Sequence, residues 1–276
     1  MTVTLSGFAD EISPDLGTQL SVLAAESISH LELRSAWSVN VADFTGAQLA
    51  EFRAATEAAG VRVSAIGSPV GKIAIGAPFA PELERMRRVA GIAGELGTAL
   101  VRVFSFYLPP GEPPELYRDQ VIDQMGALAR VAEQAGVILA HENEKEIYGD
   151  LPGRCADLIA SVDSPALRAT FDNANFVQCG VRPFTDAYPL LRPYLVYLQV
   201  KDARAATGEV TPAGEGNGEV RETLRALRDS GFAGFMSLEP HLDLAGRHGG
   251  FSGPDKFRQA AQALKRLLDE LSIGWE

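Results

Sequence analysis

The chain is organised by alternation, and that constrains its fold more than any other feature. Short apolar runs of strand character recur as VTLSGF, ISHLEL, VRVSAIG, ALVRVF, VILAHE, LRATFD, YLVYLQV and GFMSLE, with longer segments of helical spacing between them. In DLGTQLSVLAAES, Leu16, Leu20, Leu23 and Ala24 share one face, and in ELERMRRVAGIAGELG so do Leu83, Met86, Val89, Ala90 and Ala93. Gly60, Gly97, Gly136 and Gly231 each stand between a helical segment and the next strand, where a left-handed residue commonly ends a helix. Strand–helix units of roughly 30 residues imply a parallel sheet, because parallel strands need crossover helices. Eight such units use up the 276 residues, so the expectation is α/β, a single-domain (β/α)8 TIM barrel over 1–276. A doubly wound open sheet is the alternative, but no G-x-G-x-x-G follows the first strand.

Composition narrows the partners. A formal net charge of −11 repels phosphate backbones and anionic lipid, which argues against nucleic-acid or membrane-surface binding. No apolar run approaches the roughly 18 residues of a membrane span. MTVTLSGFADEIS lacks the basic and apolar regions of a signal peptide. Cys155 and Cys179 are far apart and not in a metal-type spacing, so a reduced, cytoplasmic protein is expected. With four histidines (His30, His141, His241 and His248), a metal site has to rely mainly on carboxylates.

In a barrel, the strand C-termini converge on one opening. Phe8 ends the first strand, with Asp10 and Glu11 close behind, and Glu32 ends the second. Arg102 and Phe104 lie on the fourth strand, and Glu142 ends the fifth. Asp172 and Asn175 follow the sixth, Gln199, Lys201 and Asp202 end the seventh, and Glu239 and His241 the eighth. Taken singly, each has an ordinary explanation: Asp172 as a turn former, Gln199 as a structural hydrogen-bonder, Glu32 as a partner of Arg34. Their joint occurrence at strand ends points to a site. Carboxylates aimed into one mouth repel each other, and a divalent cation relieves that repulsion. The candidate metal ligands are therefore Glu142, Asp172, Gln199 and Glu239, whose oxygens suit Mn2+ or Mg2+ better than Zn2+. His141 should face the helical layer, because neighbours on a strand alternate. Glu144 and Glu146 read as loop charges. Two Gly-rich connectors, ARAATGEVTPAGEGNGEV and PHLDLAGRHGGFSGPD, should lie at the same face and could close over a ligand. The backbone of 208–218 could hold a phosphate or simply turn into the next helix.

AHENE, FDNAN, LQVKDA, PAGEGNGEV and SLEPH, in that order, resemble the sugar phosphate isomerase/epimerase family of xylose isomerase-like barrels over nearly the whole chain. The resemblance implies that Glu142, Asp172 and Glu239 are metal ligands. It also exposes two departures: Gln199 stands where H-x-K-D has histidine, and Asn175 where D-x-x-H does. The implied activity is metal-dependent isomerisation or epimerisation of a sugar or sugar phosphate through an enediolate, with Glu142 and Glu239 as catalytic carboxylates. Glu32, Asn175, Lys201, Arg204 and His241 are candidates for substrate contacts, with Phe8 and Phe104 as an apolar wall. An inosose-dehydratase-like lyase and a non-catalytic sugar-binding relative are the alternatives. Relatives of this kind often form homo-oligomers.

Overall fold

The structure, a computed structural model, describes residues 1–246 and 249–276. Its centre is a parallel sheet of β1 (Thr2–Gly7), β2 (His30–Leu33), β3 (Arg62–Ile66), β4 (Leu100–Val103), β5 (Ile138–Glu142), β6 (Leu167–Asp172), β7 (Leu195–Val200) and β8 (Phe235–Leu238). Neighbours run β1-β8-β7-β6-β5-β4-β3-β2, and a parallel bridge between Phe8 and Glu32 joins the two ends, closing the barrel. The C-terminal Gly274–Trp275 pairs beside the start of β1. Register sets the site: Gln199 lies opposite Asp172 on one side and Ser237 on the other, and Glu142 lies opposite Thr170.

The helices are α1 (Leu16–Ala25), α2 (Gly46–Ala59), α3 (Ala80–Glu95), α4 (Arg118–Ala135), α5 (Pro152–Val162), α6 (Asn173–Gln178), α7 (Tyr188–Leu191), α8 (Val220–Ser230) and α9 (Gly253–Glu270). Their apolar faces cover the outside of the barrel, with Met86 and Val89 of α3, Met125 and Leu128 of α4 and Leu264 and Leu268 of α9 all buried. Gly60, Gly97, Gly136 and Gly231 take φ of 66°, 72°, 70° and 75°, as helix-ending residues should. The alternation predicts one helix between β6 and β7, but two short ones form. Asp172 caps α6 by accepting from the Asn175 N–H at 2.8 Å, Gly180 in the left-handed region ends that run, and Pro183 opens a π-helical turn, Pro183–Ala187, that leads into α7.

Three connectors at the C-terminal face contain antiparallel hairpins: Ser35–Ala36 with Val39–Asn40, Asp202–Ala203 with Val210–Thr211, and Leu244–Gly246 with Gly249–Phe251. The last two lie in the Gly-rich connectors read as loops. His248 lies outside the described residues. Among the described residues, no helix is long and apolar enough to cross a membrane. Cys155 and Cys179 are free thiols.

The segment after β3 is docked on the one after β4 by backbone hydrogen bonds from Phe104 N to Val70 O (2.8 Å) and Phe106 N to Gly71 O (3.1 Å). Gly71 has φ 86°, and a Cβ there would lie 1.9 Å from the Phe104 carbonyl oxygen. Gly71→Ala should therefore cost at least ~2 kcal/mol by thermal or urea unfolding. Gly91→Ala, on the exposed side of α3 with nothing within 4 Å, should be neutral or stabilising by up to ~1 kcal/mol. Equal effects would contradict the docking.

His141 points away from the barrel axis, as alternation predicts, with Nε2 2.9 Å from Ser105 Oγ. Burial lowers its pKa to about 4. The unfolded chain, with an ordinary histidine pKa, takes up this proton first as pH falls, so His141 opposes folding progressively from about pH 6.5 down to 4. The stability lost by wild type between pH 7 and pH 4.5 in urea unfolding should exceed that lost by His141→Gln by about 2 kcal/mol. Equal losses would count against a buried, neutral His141.

Candidate active site

The mouth is built from inward-facing residues at the strand ends. One carboxylate oxygen from each of Glu142, Asp172 and Glu239 lies within 4.8 Å of the others, and all three side chains are buried. Two elements hold Glu142 in place. Asn175 Nδ2, on α6, donates to Glu142 Oε1 at 2.9 Å, and Arg102 Nη1 lies 3.2 Å from Glu142 Oε2. Asn143 ties β5 to β6, donating to the Asp172 carbonyl and accepting from the Asp172 N–H, both at 2.9 Å. Lys201 Nζ lies 2.6 Å from Glu239 Oε2 and 3.0 Å from Asp172 Oδ2.

Further cations stack on aromatic faces. The Arg34 and Arg102 guanidinium carbons lie 4.7 and 4.9 Å from the Phe8 centroid. Arg102 also lies 4.9 Å from the Phe104 centroid, with Lys72 Nζ 4.2 Å from the same ring. The result is a continuous series, Arg34–Phe8–Arg102–Phe104–Lys72, across one side of the mouth. Arg34 reaches Asp10 (2.7 Å) and Glu239 (3.2 Å), and Lys72 reaches Glu144 (3.5 Å).

The electrostatics follow from this crowding. Burial pushes Glu142 up to about 8 despite Arg102, and Asp172 up to about 6 despite Lys201. Burial would raise Glu239 too, but Lys201, His241 and Arg102 overcome it and hold this carboxylate well below its usual range. Burial alone would lower Lys201; Asp172, Glu239 and Glu142 reverse that and keep it protonated. Burial also lifts Glu32 to about 7.

The other sequence candidates lie beside this cluster or away from it. Gln199 is fully buried, and its Nε2 donates to Glu32 Oε1 at 3.0 Å. His241 Nε2 lies 3.1 Å from Glu11 Oε1 and 3.4 Å from Glu239 Oε1, and its backbone N–H donates to Glu11 Oε2 at 2.8 Å. Phe8 and Phe104 have no solvent exposure, and their faces carry guanidinium and ammonium groups. Arg204 stays out on its hairpin, half exposed beside Glu209, and is not drawn into the cluster. The 208–218 backbone is organised by a side chain rather than left open. Asp202 accepts from Gly214, Gly216 and Gly218 N–H groups at 3.0, 3.0 and 2.7 Å, so those amides already serve a carboxylate. The sequence places Arg102 on a strand leading to the mouth and makes Glu144 a loop charge, but it does not foretell the pairing of Arg34 with Glu239 or of Lys72 with Glu144. The available signal was a basic residue inside an apolar strand or at its end, as in LELR and VRVF.

The donor set fits a hard divalent cation. Glu142 Oε2 and Asp172 Oδ2 have ion contacts but no aligned hydrogen bond, and Gln199 Oε1 is buried without a hydrogen-bond partner. Glu142, Asp172, Glu239 and Gln199 could hold such an ion.

Known proteins resemble the chain in sequence and in fold. The chain is 32% identical over 190 aligned residues to 2-epi-5-epi-valiolone 7-phosphate 2-epimerase of an Actinoplanes strain, an alignment that spans 65% of this chain and 65% of that protein's length. Its fold superposes on a D-tagatose 3-epimerase-like protein with a TM-score of 0.79 at 16% identity, covering 98% of each chain. A Mycobacterium smegmatis xylose isomerase-like TIM barrel protein in complex with magnesium superposes with a TM-score of 0.69 at 18% identity, covering 98% of this chain and 97% of that one. The family described as xylose isomerase-like TIM barrel matches residues 25–269, and the chain belongs to it.

Proposed function

We propose that this protein is a divalent-cation-dependent epimerase or isomerase acting next to the carbonyl of a polyhydroxylated ketone, a sugar or cyclitol, free or phosphorylated. The observation that carries the reading is the convergence of Glu142, Asp172 and Glu239 oxygens within 4.8 Å at the barrel mouth. The named activity of the Actinoplanes relative, 2-epimerisation of 2-epi-5-epi-valiolone 7-phosphate, supports this substrate class.

Glu142, Asp172, Glu239 and Gln199 Oε1 would hold a cation, with Mn2+ or Mg2+ preferred, which would polarise the substrate carbonyl and acidify the adjacent C–H. The chain's own groups then handle the proton. Glu239, kept ionised by Lys201, His241 and Arg102, is the base that breaks the C–H bond. The electron pair moves toward the carbonyl oxygen to give an enediolate. Glu142, the second carboxylate, returns the proton. Return to the opposite face of the same carbon epimerises, and return to the neighbouring carbon isomerises. Lys201 and Arg102 keep a positive field around the developing oxyanion. Loss of a β-hydroxyl from the same intermediate would make the enzyme a lyase, and the assay below detects it.

The test is a panel of ketoses and cyclitol ketones, with and without phosphate, incubated with protein and Mn2+ in D2O. Deuterium incorporation next to the carbonyl and an epimeric or isomeric product are expected, with no enone absorbance. Glu142→Gln and Glu239→Gln should each lower the rate by about 10²-fold or more while the fold is retained. Exchange by wild type that both variants preserve would contradict the roles given to these glutamates. Enone formation would move the chain to the lyase reading.

A further inference from the structure

Gln199 poses a problem that an imidazole would not. A carboxamide can turn either a carbonyl oxygen or an NH2 group toward its neighbour, and an NH2 group repels a cation. Gln199 is fully buried on β7 in register with Asp172. Its Nε2 donates to Glu32 Oε1 at 3.0 Å, while Oε1, on the other branch of the amide, meets no hydrogen-bond donor. Glu32 comes from β2, where the barrel closes, and is itself 1% exposed. The Glu32 carboxylate is the acceptor that Nε2 meets, so it sets which way the amide faces.

We propose that Glu32 is a positioning residue that turns Gln199 into an oxygen ligand, completing an all-oxygen donor set with Glu142, Asp172 and Glu239. This deepens the cation site proposed above and depends on it. A structural role for the Glu32–Gln199 hydrogen bond would affect folding. The positioning role instead appears in cation affinity and in cation choice, because hard oxygen donors favour Mg2+ and Mn2+ whereas nitrogen shifts preference toward Zn2+.

The experiment is calorimetric titration of the chelator-stripped full chain with Mn2+, Mg2+ and Zn2+, alongside its thermal melting without metal. Glu32→Leu should bind Mn2+ about 10- to 100-fold more weakly than wild type. In a Gln199→Leu background, the same change should add no further loss, since Glu32 acts through Gln199. Gln199→His should raise the ratio of Zn2+ to Mn2+ affinity about tenfold, and this variant carries the test if Glu32→Leu does not fold. Wild-type affinity in a folded Glu32→Leu, an additional loss in the double variant, or an unchanged Zn2+/Mn2+ ratio in Gln199→His would each overturn the proposal while leaving the cation site standing. A wild-type protein that binds none of the three ions would overturn both.

Discussion

The crowding of buried carboxylates at one end of the barrel is the constraint on which the rest of the structure depends. Glu142, Asp172 and Glu239 are almost fully withdrawn from water, and Asp10, Glu11, Glu32 and Glu144 lie around them. Removing a carboxylate from water is expensive unless it is paired and hydrogen-bonded. The protein answers with cations that are themselves fixed. Lys201 bridges two of the carboxylates, and Arg34 and Arg102 lie against aromatic faces that hold them at the mouth. Asp172 and Glu239, the carboxylates that Lys201 bridges, also belong to the group that could hold an ion, so a cation bound there would compete with an internal ammonium group.

The surrounding loops serve this arrangement. Docking of the segment after β3 on the one after β4 brings Lys72 onto Phe104. Asp202 gathers the amides of the Gly-rich connector and so fixes the hairpin beside β7. Glu11 accepts from the backbone of His241 and from the Ser252 hydroxyl, each at 2.8 Å, which pins both ends of the segment between β8 and α9 to the first strand's exit. A precise mouth on a rigid barrel is what proton transfer at two faces of one carbon requires.

Much of this was legible in the sequence because the governing patterns are local. Alternation, helical spacing and glycine at helix ends specify the barrel, and the strand-end carboxylates follow from where each apolar run stops. Alternation along β5 turns His141 away from the face that carries Glu142, and its ring meets Ser105 and Gly149. The cations were harder to read because their partners are remote: Arg34 meets Glu239 across 205 residues. The sequence suggests Phe8 and Phe104 as a wall for substrate, whereas in the structure their rings carry Arg34, Arg102 and Lys72, since an aromatic at a strand end can face either a ligand or a neighbouring cation. The amides of 208–218 looked open because nothing local marks Asp202 as their acceptor. The two short helices after β6 depend on a cap and a proline that a periodicity argument does not weigh.

The proposal that the buried carboxylates at the barrel mouth hold a divalent cation can be tested on the cation itself. Its most direct test is anomalous diffraction from crystals of the chelator-stripped protein soaked in Mn2+. The account predicts one strong peak at about 2.0–2.4 Å from oxygens of Glu142, Asp172 and Glu239, with Lys201 displaced from between Asp172 and Glu239. A mouth with no peak at saturating Mn2+ and Lys201 still bridging those two carboxylates would contradict it.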